Sequence, residues 1–207
     1  VDSQTHQIIV YPNTIVPLTS ILPANGKGCN PLTVTFTNNT TGANSFTWKF
    51  DSVNGTNTKN AQWTFTKAGL YNVEMNAANA CSDTSVFIAI HVTDPPKVSF
   101  SDSGKYCEPG TIYFTNKTTN ANSYSWDFGD GDTSVATHPS HQYDSGGVYK
   151  VILTARNIDS TGQTCTDTFS RYIKIYKKPV PSLSASTTNG CEPLVVNFSG
   201  LGSTYTN

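Results

Sequence analysis

One phrase of eight residues occurs three times in this 207-residue chain, and it constrains the fold more than any other feature. It begins with cysteine, has proline two residues later and phenylalanine seven residues later, and its copies start at Cys29, Cys107 and Cys191. Internal repetition identifies the structural unit before any strand or helix is assigned. The repeat lengths of 78 and 84 residues are too long for a solenoid unit and fit a small β-sandwich.

The first two copies continue in register far beyond the phrase. Tryptophans follow the opening cysteines by 19 residues and tyrosines follow them by 42 residues. The second copy then has six extra residues before the agreement resumes at a second cysteine. The matched pairs are Trp48 with Trp126, Tyr71 with Tyr149, and Cys81 with Cys165. Agreement over this length indicates two modules of one kind.

The repeat divides the chain into two whole modules between two fragments. We expect residues 1–22 to hold the last strand of a preceding module and a linker, because an apolar stretch there resembles the end of the second module. Residues 23–94 and 95–178 form the whole modules, and residues 179–207 begin a third. We therefore interpret the sequence as part of a longer, already processed protein.

The composition favours strands and excludes several functions. Charged residues make up 13% of the chain, while Tyr and Phe number 10 each, and aromatic and β-branched residues fit the pleated surface of a sheet. A net charge of -1 with no basic patch argues against nucleic-acid binding. No apolar stretch reaches the roughly 20 residues that span a bilayer, so we expect no membrane span in this segment.

The second module has the short alternating runs that are typical of sandwich strands. In the run Tyr149, Val151, Leu153 and Ala155, every second residue is apolar, so these side chains should share one buried face. We predict strands near 97–101, 110–116, 122–128, 133–137, 148–156 and 168–176.

The cysteines predict disulfides rather than free thiols. We expect Cys29 to pair with Cys81, and Cys107 with Cys165, each bond joining the first core strand of a module to a late one. Each bond would close a loop of roughly 50 residues and stabilise its module by about 3–4 kcal/mol. Cys191 would pair with a residue beyond the chain. Free buried thiols or a zinc site are the alternatives, although no CxxC pair is present, and disulfides imply an extracellular location.

Three motifs of the second module carry a family resemblance. The segments Ser123–Gly131 (SYSWDFGDG), Pro139–Tyr143 (PSHQY) and Gly147–Asn157 (GVYKVILTARN) are similar to the hallmarks of the polycystic kidney disease (PKD) domain. The first module departs from the pattern, because the sequence from Trp48 reads WKFDSVNG in place of the acidic glycine turn. It is identified as a degenerate member of the same family.

The resemblance implies tandem immunoglobulin-like, all-β sandwiches that serve as spacers, adhesive modules or accessory domains of cell-surface proteins and secreted hydrolases. Tandem modules that open with Cys-x-Pro resemble the large surface proteins of Bacteroidota. Such proteins often end in a gliding-motility-associated domain or a type IX secretion sorting signal, and this sequence contains neither.

The acidic turn of the second module is the candidate metal site. Asp127, Asp130 and Asp132 bring oxygen ligands close together, as a hard cation such as Ca²⁺ requires. In the alternative, Gly129 and Gly131 supply the positive φ of a structural turn, and the aspartates accept backbone N–H bonds. We favour the structural turn and expect no resident cofactor.

Two further kinds of surface site are suggested. Trp63 and Tyr113 could stack on sugar rings if they are exposed, although core or inter-module packing is the simpler interpretation. Ser52 and Ser160 lie in three-residue sequences that resemble Bacteroidota O-glycosylation sites, and attached sugars would shield loops.

The sequence predicts no enzyme, because no nucleophile elbow, zinc-protease motif or phosphate loop is present. We expect a structural or adhesive segment of an extracellular surface protein or filament, acting as a semi-rigid stalk. Its partners would be neighbouring modules, other copies in a fibre or surface complex, or surface glycans and proteins. The alternative is an accessory carbohydrate- or protein-binding module of a secreted hydrolase.

Overall fold

The computed structural model describes Val10 and residues 14–200, and its regular structure there consists of strands alone. Within these residues there is no helix of the length and apolarity needed to cross a bilayer. The chain forms two compact units, of which the first comprises residues 1–96 and 156–166 and the second comprises residues 97–155 and 167–207.

The first unit is a sandwich of two sheets. A three-stranded sheet has the order β1-β3-β6, and a five-stranded sheet has the order β2-β8-β7-β4-β5. The strands are β1 (Thr19–Leu22), β2 (Lys27–Cys29), β3 (Leu32–Asn38), β4 (Ser45–Phe50), β5 (Val53–Asn54), β6 (Ala61–Phe65), β7 (Gly69–Ala78) and β8 (Asp83–Thr93).

Alternating apolar residues build the core between these two sheets. Val34 and Phe36 of β3 are fully buried and face Trp48 and Phe50 of β4. The rings of Phe36 and Trp48 lie 5.3 Å apart. The indole N–H of Trp48 donates to the Thr58 carbonyl at 3.0 Å, which satisfies its one polar group inside the core.

Cys29 of the opening phrase lies on β2, the edge strand of the five-stranded sheet. β2 pairs with β8 in parallel, and Cys29 lies opposite Thr93. The other neighbour of β8 is β7, which is antiparallel. The short strand β2 therefore extends the sheet beside the last residues of β8.

The second unit repeats this plan. Its sheets have the orders β13-β10-β9 and β12-β11-β14-β15. The strands are β9 (Phe100–Gly104), β10 (Gly110–Asn116), β11 (Ser123–Asp127), β12 (Thr133–Ser134), β13 (Ser140–Tyr143), β14 (Gly147–Ile158) and β15 (Thr164–Ile175). The strand β13 coincides with the PSHQY motif that carries the family resemblance, although it is not among the strands predicted from alternating runs.

The predicted buried face of the second module is confirmed. Val151, Leu153 and Ala155 are fully buried, and Tyr149 packs against the same core. Trp126 is fully buried and donates its indole N–H to the Ala136 carbonyl at 2.9 Å. The all-β prediction is confirmed as well.

The flanking fragments are described in part. β1 lies within residues 1–22 and pairs with β3, so it belongs to the first sandwich rather than to a linker. The apolar stretch expected to end a preceding module lies almost wholly outside the described residues. In the last segment, β16 (Ser184–Ala185) pairs with β17 (Phe198–Ser199) in antiparallel fashion, as β1 pairs with β3 and β9 with β10.

Candidate functional site

The structure corrects the predicted disulfide pairing. Cys29 is bonded to Cys165, across 136 residues of sequence. Cys81, Cys107 and Cys191 are exposed free thiols. Neither of the two predicted pairs is therefore formed.

The geometry of one strand explains why the predicted pairs do not form. Cys29 lies beside Thr93, the last residue of β8, whereas Cys81 precedes Asp83, the first residue of β8. Because a strand rises by about 3.3 Å per residue, the two cysteines lie roughly 30 Å apart. A disulfide requires Cα atoms within about 7 Å.

The same argument applies in the second module. Cys107 forms a parallel bridge with Tyr176, just past the end of β15, and Cys165 is the second residue of β15. The sequence prediction assumed that cysteines of one module meet, and it did not anticipate that they occupy opposite ends of one strand.

Cys165 reaches Cys29 because the β14–β15 hairpin projects beyond its own sandwich. Its end, residues 156–166, belongs to the first unit and is called the hairpin arm below. The six residues that the second repeat has in excess lie in this hairpin. The insertion was the sequence signal for this feature, but its length alone did not reveal its contacts.

One carboxylate organises the tip of the hairpin arm. Asp159 accepts hydrogen bonds from the Thr161 N–H at 2.8 Å, the Thr161 hydroxyl at 2.7 Å and the Gln163 N–H at 3.1 Å. The backbone of Asp159 also bonds to that of Gln163, since the Asp159 N–H donates to the Gln163 carbonyl at 3.0 Å. These bonds close the turn and aim the second carboxylate oxygen away from it.

That second oxygen contacts the end of β8. The Thr93 hydroxyl donates to Asp159 Oδ2 at 2.6 Å, and His91 Nδ1 lies 3.7 Å from the same oxygen. The Thr93 hydroxyl holds the pKa of the Asp159 carboxyl well below its usual range, and the bonds from Thr161 act in the same direction. Lys27 Nζ lies 3.5 Å from the Thr161 carbonyl. Hydrogen bonds therefore support the disulfide in holding the arm.

The acidic turn of the second unit has the geometry of a structural turn. Asp127 Oδ1 accepts the Gly129 N–H at 2.9 Å, and Asp130 Oδ1 accepts the Asp132 N–H at 3.2 Å. Gly129 and Gly131 have φ values of 83° and 105°, where side chains are disfavoured. The predicted capping interactions are therefore confirmed for this turn.

His141 joins this acidic turn. Its Nε2 lies 2.6 Å from Asp130 Oδ2, and its ring stacks on Phe128 with centroids 4.3 Å apart. Ligand atoms of Asp130, Asp132 and His141 lie within 4.8 Å of one another, while Asp127 is not part of this group. Binding of Ca²⁺ by the predicted trio stays a prediction.

The two aromatic side chains considered for sugar stacking differ in exposure, and the two serines lie on the surface. Trp63 is half-buried, and its ring stacks on Phe50 at 4.4 Å, whereas Tyr113 is 58% exposed. Trp63 therefore takes part in core packing. Ser52 and Ser160 are both exposed in turns, and their glycosylation stays a prediction.

Family models match the chain twice, both as PKD domain, over residues 22–92 and 94–173. The chain belongs to the PKD domain family. Its two PKD domains are in tandem and cover most of its length.

Named relatives include two collagenases. A microbial collagenase of Vibrio alginolyticus is 56% identical over 43 residues, which is 21% of this chain and 5% of that protein. Collagenase ColA of Clostridium perfringens is 32% identical over 126 residues, which is 58% of this chain and 11% of that protein. The chain thus corresponds to a small part of each relative.

Solved PKD domains resemble parts of this chain. The PKD1 domain of Vibrio anguillarum Epp is 28% identical with a TM-score of 0.35, over 40% of this chain and 95% of that domain. The PKD1 domain of the Vibrio cholerae metalloprotease PrtV is 30% identical with a TM-score of 0.33, over 39% of this chain and 96% of that domain.

Proposed function

We propose that the tandem PKD domains act as a non-catalytic, semi-rigid stalk segment of an extracellular protein. The observation that carries the proposal is the Cys29–Cys165 bond, which ties the opening phrase of the first repeat to the hairpin of the second. The proposal expects this bond, together with the φ restriction of Pro95 and Pro96, to stiffen the connection between the repeats.

The same bond supports an extracellular location. Disulfides persist in oxidising compartments and are rare in reducing ones. The proposal places the segment at a cell surface, in the manner of the large Bacteroidota proteins that the tandem Cys-x-Pro phrase resembles. Its partners are neighbouring modules and, in a fibre or surface complex, other copies of the chain.

Small-angle X-ray scattering tests the stalk. The oxidised chain should give a scattering profile that one conformation reproduces. The Cys29→Ala/Cys165→Ala variant should give a larger radius of gyration and a profile that requires several conformations. The Cys81→Ala variant is the matched control and should scatter as the unmodified chain does. Identical profiles for the oxidised chain and the double variant would refute the stalk proposal.

The second candidate function is an accessory binding module of a secreted hydrolase, and the collagenase relatives favour it. It predicts saturable binding of the 207-residue chain to fibrillar collagen or to a polysaccharide. A pull-down on insoluble collagen, cellulose and chitin distinguishes the two functions. Retention that is lost on Tyr113→Ala would establish a binding face, and absence of retention would favour the stalk.

A further inference from the structure

In terms of the repeat, the disulfide follows a simple rule. It joins the opening cysteine of one repeat, Cys29, to the hairpin cysteine of the next repeat, Cys165. Cys81, the hairpin cysteine of the first repeat, is exposed and unbonded, and its hairpin lacks the six extra residues that form the arm of the second. Cys107 is the opening cysteine of the second repeat, and it too is an exposed thiol.

We propose that Cys107 forms a second disulfide of the same kind, in the position that Cys29 has in the first. Its partner is the hairpin cysteine of a third repeat, the one that opens at Cys191. A repeat whose hairpin carries the six-residue insertion of the second repeat would then be bonded to the repeat before it. The inference holds for a stalk and for an accessory module alike.

The backbone holds Cys107 as it holds Cys29. Cys29 lies opposite Thr93 in a parallel pairing, and the next N–H, of Asn30, donates to the Thr93 carbonyl at 2.9 Å. Cys107 forms a parallel bridge with Tyr176, and the next N–H, of Glu108, donates to the Tyr176 carbonyl at 3.0 Å. Both thiols therefore leave the backbone at the same point of the sheet.

The surroundings of Cys107 also match the charge of a hairpin arm. Beside Cys29, two basic side chains and a hydroxyl contact the arm, which presents an aspartate. Equivalence is set here by the strand pairing, because Thr93 lies opposite Cys29 and Tyr176 lies opposite Cys107. On this basis Lys27 corresponds to Lys105, His91 to Lys174, and Thr93 to Tyr176. Lys174 and Tyr176 are exposed, and Lys174 Nζ lies 4.8 Å from the Tyr176 ring centre.

The bond forms by thiol–disulfide exchange with a low-molecular-weight disulfide such as oxidised glutathione. The Cys107 thiolate attacks one sulfur of that disulfide and releases one glutathione thiolate. The thiolate of the incoming hairpin cysteine then attacks the mixed disulfide and releases the second. Two protein thiols lose two protons and two electrons, and one glutathione disulfide gains them.

The test extends the chain by completing its third repeat. Residues 1–199 are followed directly by a second copy of residues 116–178, because Ser199 corresponds to Thr115 in the repeat. The added copy carries Thr168→Ser, an exposed change that marks its hairpin peptide by mass. The protein is refolded in a glutathione redox buffer, alkylated and digested without reduction.

We expect a tryptic peptide that joins Cys107 to the marked hairpin, in addition to the Cys29–Cys165 peptide. The Cys107→Ser variant should leave the marked hairpin cysteine alkylated while the Cys29–Cys165 bond persists. That persisting bond shows that the first two repeats have folded. Complete alkylation of Cys107 in the extended chain, or its bonding to Cys81 or Cys191, would overturn the proposal.

A second test uses the 207-residue chain and does not depend on folding of an added repeat. The variant His91→Lys/Thr93→Tyr gives the first repeat the residues that surround Cys107. If that surface accepts a hairpin arm, the Cys29–Cys165 bond should still form, with an equilibrium constant against glutathione within about tenfold of the unmodified chain. Loss of the bond in this variant would show that the surface around Cys107 cannot receive the arm.

Discussion

The two long hairpins of this chain have equivalent residues where their first strands end, but the segments that join their strands differ. Asn79 of the first and Asn157 of the second occupy equivalent positions, as do Cys81 and Cys165. In the first hairpin, β7 and β8 are joined by residues 79–82 alone, and Cys81 is exposed in that turn. In the second, β15 begins before Cys165, which is buried in a disulfide.

The turn of the first hairpin is closed by hydrogen bonds of Asn79. Asn79 Oδ1 accepts the N–H groups of Cys81 at 2.8 Å and Ser82 at 2.9 Å, and Asn79 Nδ2 donates to the Gly42 carbonyl at 2.6 Å. In the second hairpin, Asn157 Nδ2 donates to the Asp94 carbonyl at 3.0 Å, within the first unit. An insertion of six residues thus turns a closed turn into an arm with external contacts.

Among the variants that test this comparison, removal of the disulfide should lower the free energy of unfolding the most. In the chain-entropy account, a bond that closes a loop of 136 residues stabilises by about 5 kcal/mol. We expect Cys29→Ala/Cys165→Ala to lower the free energy of unfolding of the first unit by several kcal/mol, measured by urea denaturation. Cys81→Ala should change it by less than about 0.5 kcal/mol, because that thiol is exposed and unbonded. Equal losses in the two variants would contradict the assignment of the bond.

The next largest loss of stability should come from substitution of the two equivalent asparagines, and it should differ between them. Asn79→Ala removes three hydrogen bonds of the short turn and should cost about 2–3 kcal/mol of stability. Asn157→Ala should cost less, about 1 kcal/mol, since its contact lies at the exposed base of the arm. Thermal unfolding of both variants, read by circular dichroism, makes the comparison. A larger loss for Asn157→Ala would mean that the arm, not the turn, depends on its asparagine.

The smallest effect should be the pH dependence of the contact between the hairpin arm and the end of β8, measured by the resistance of the disulfide to reduction. The folded pKa of Asp159 is depressed, so its contribution is complete above the unfolded value of about 3.9 and is lost as pH falls below it. Resistance of the Cys29–Cys165 bond to a phosphine reductant, which works in acid, should therefore decline below about pH 4. In the Asp159→Asn variant this resistance should be lower at neutral pH and nearly independent of pH. A parallel decline in both would assign the effect to other carboxylates.

The sequence predicted the sandwich well because its evidence is local. Alternation in β14 identifies the buried face of Val151 and Leu153, and the repeated spacing from cysteine to tryptophan places Trp48 and Trp126 in equivalent cores. These features depend on the two-residue period of a strand and on residue size, both of which are visible in the sequence.

The disulfide could not be predicted on the same basis. It depends on β2, three residues whose parallel pairing with β8 leaves no periodic signal in the sequence. Order along the chain suggested that Cys29 meets Cys81, while the sheet separates them by the length of β8. The role of Asp159 was hidden for a related reason, since its partner Thr93 is 66 residues away.

The span of the disulfide has a consequence for a chain under tension. A pull on residues outside the bond passes through Cys29 and Cys165 and bypasses the 136-residue separation between them. At about 3.4 Å per extended residue, roughly 450 Å of contour length is withheld while the bond is intact. A reductant would release that length without breaking the polypeptide. The redox state of one bond therefore decides how far this molecule can lengthen before it fails.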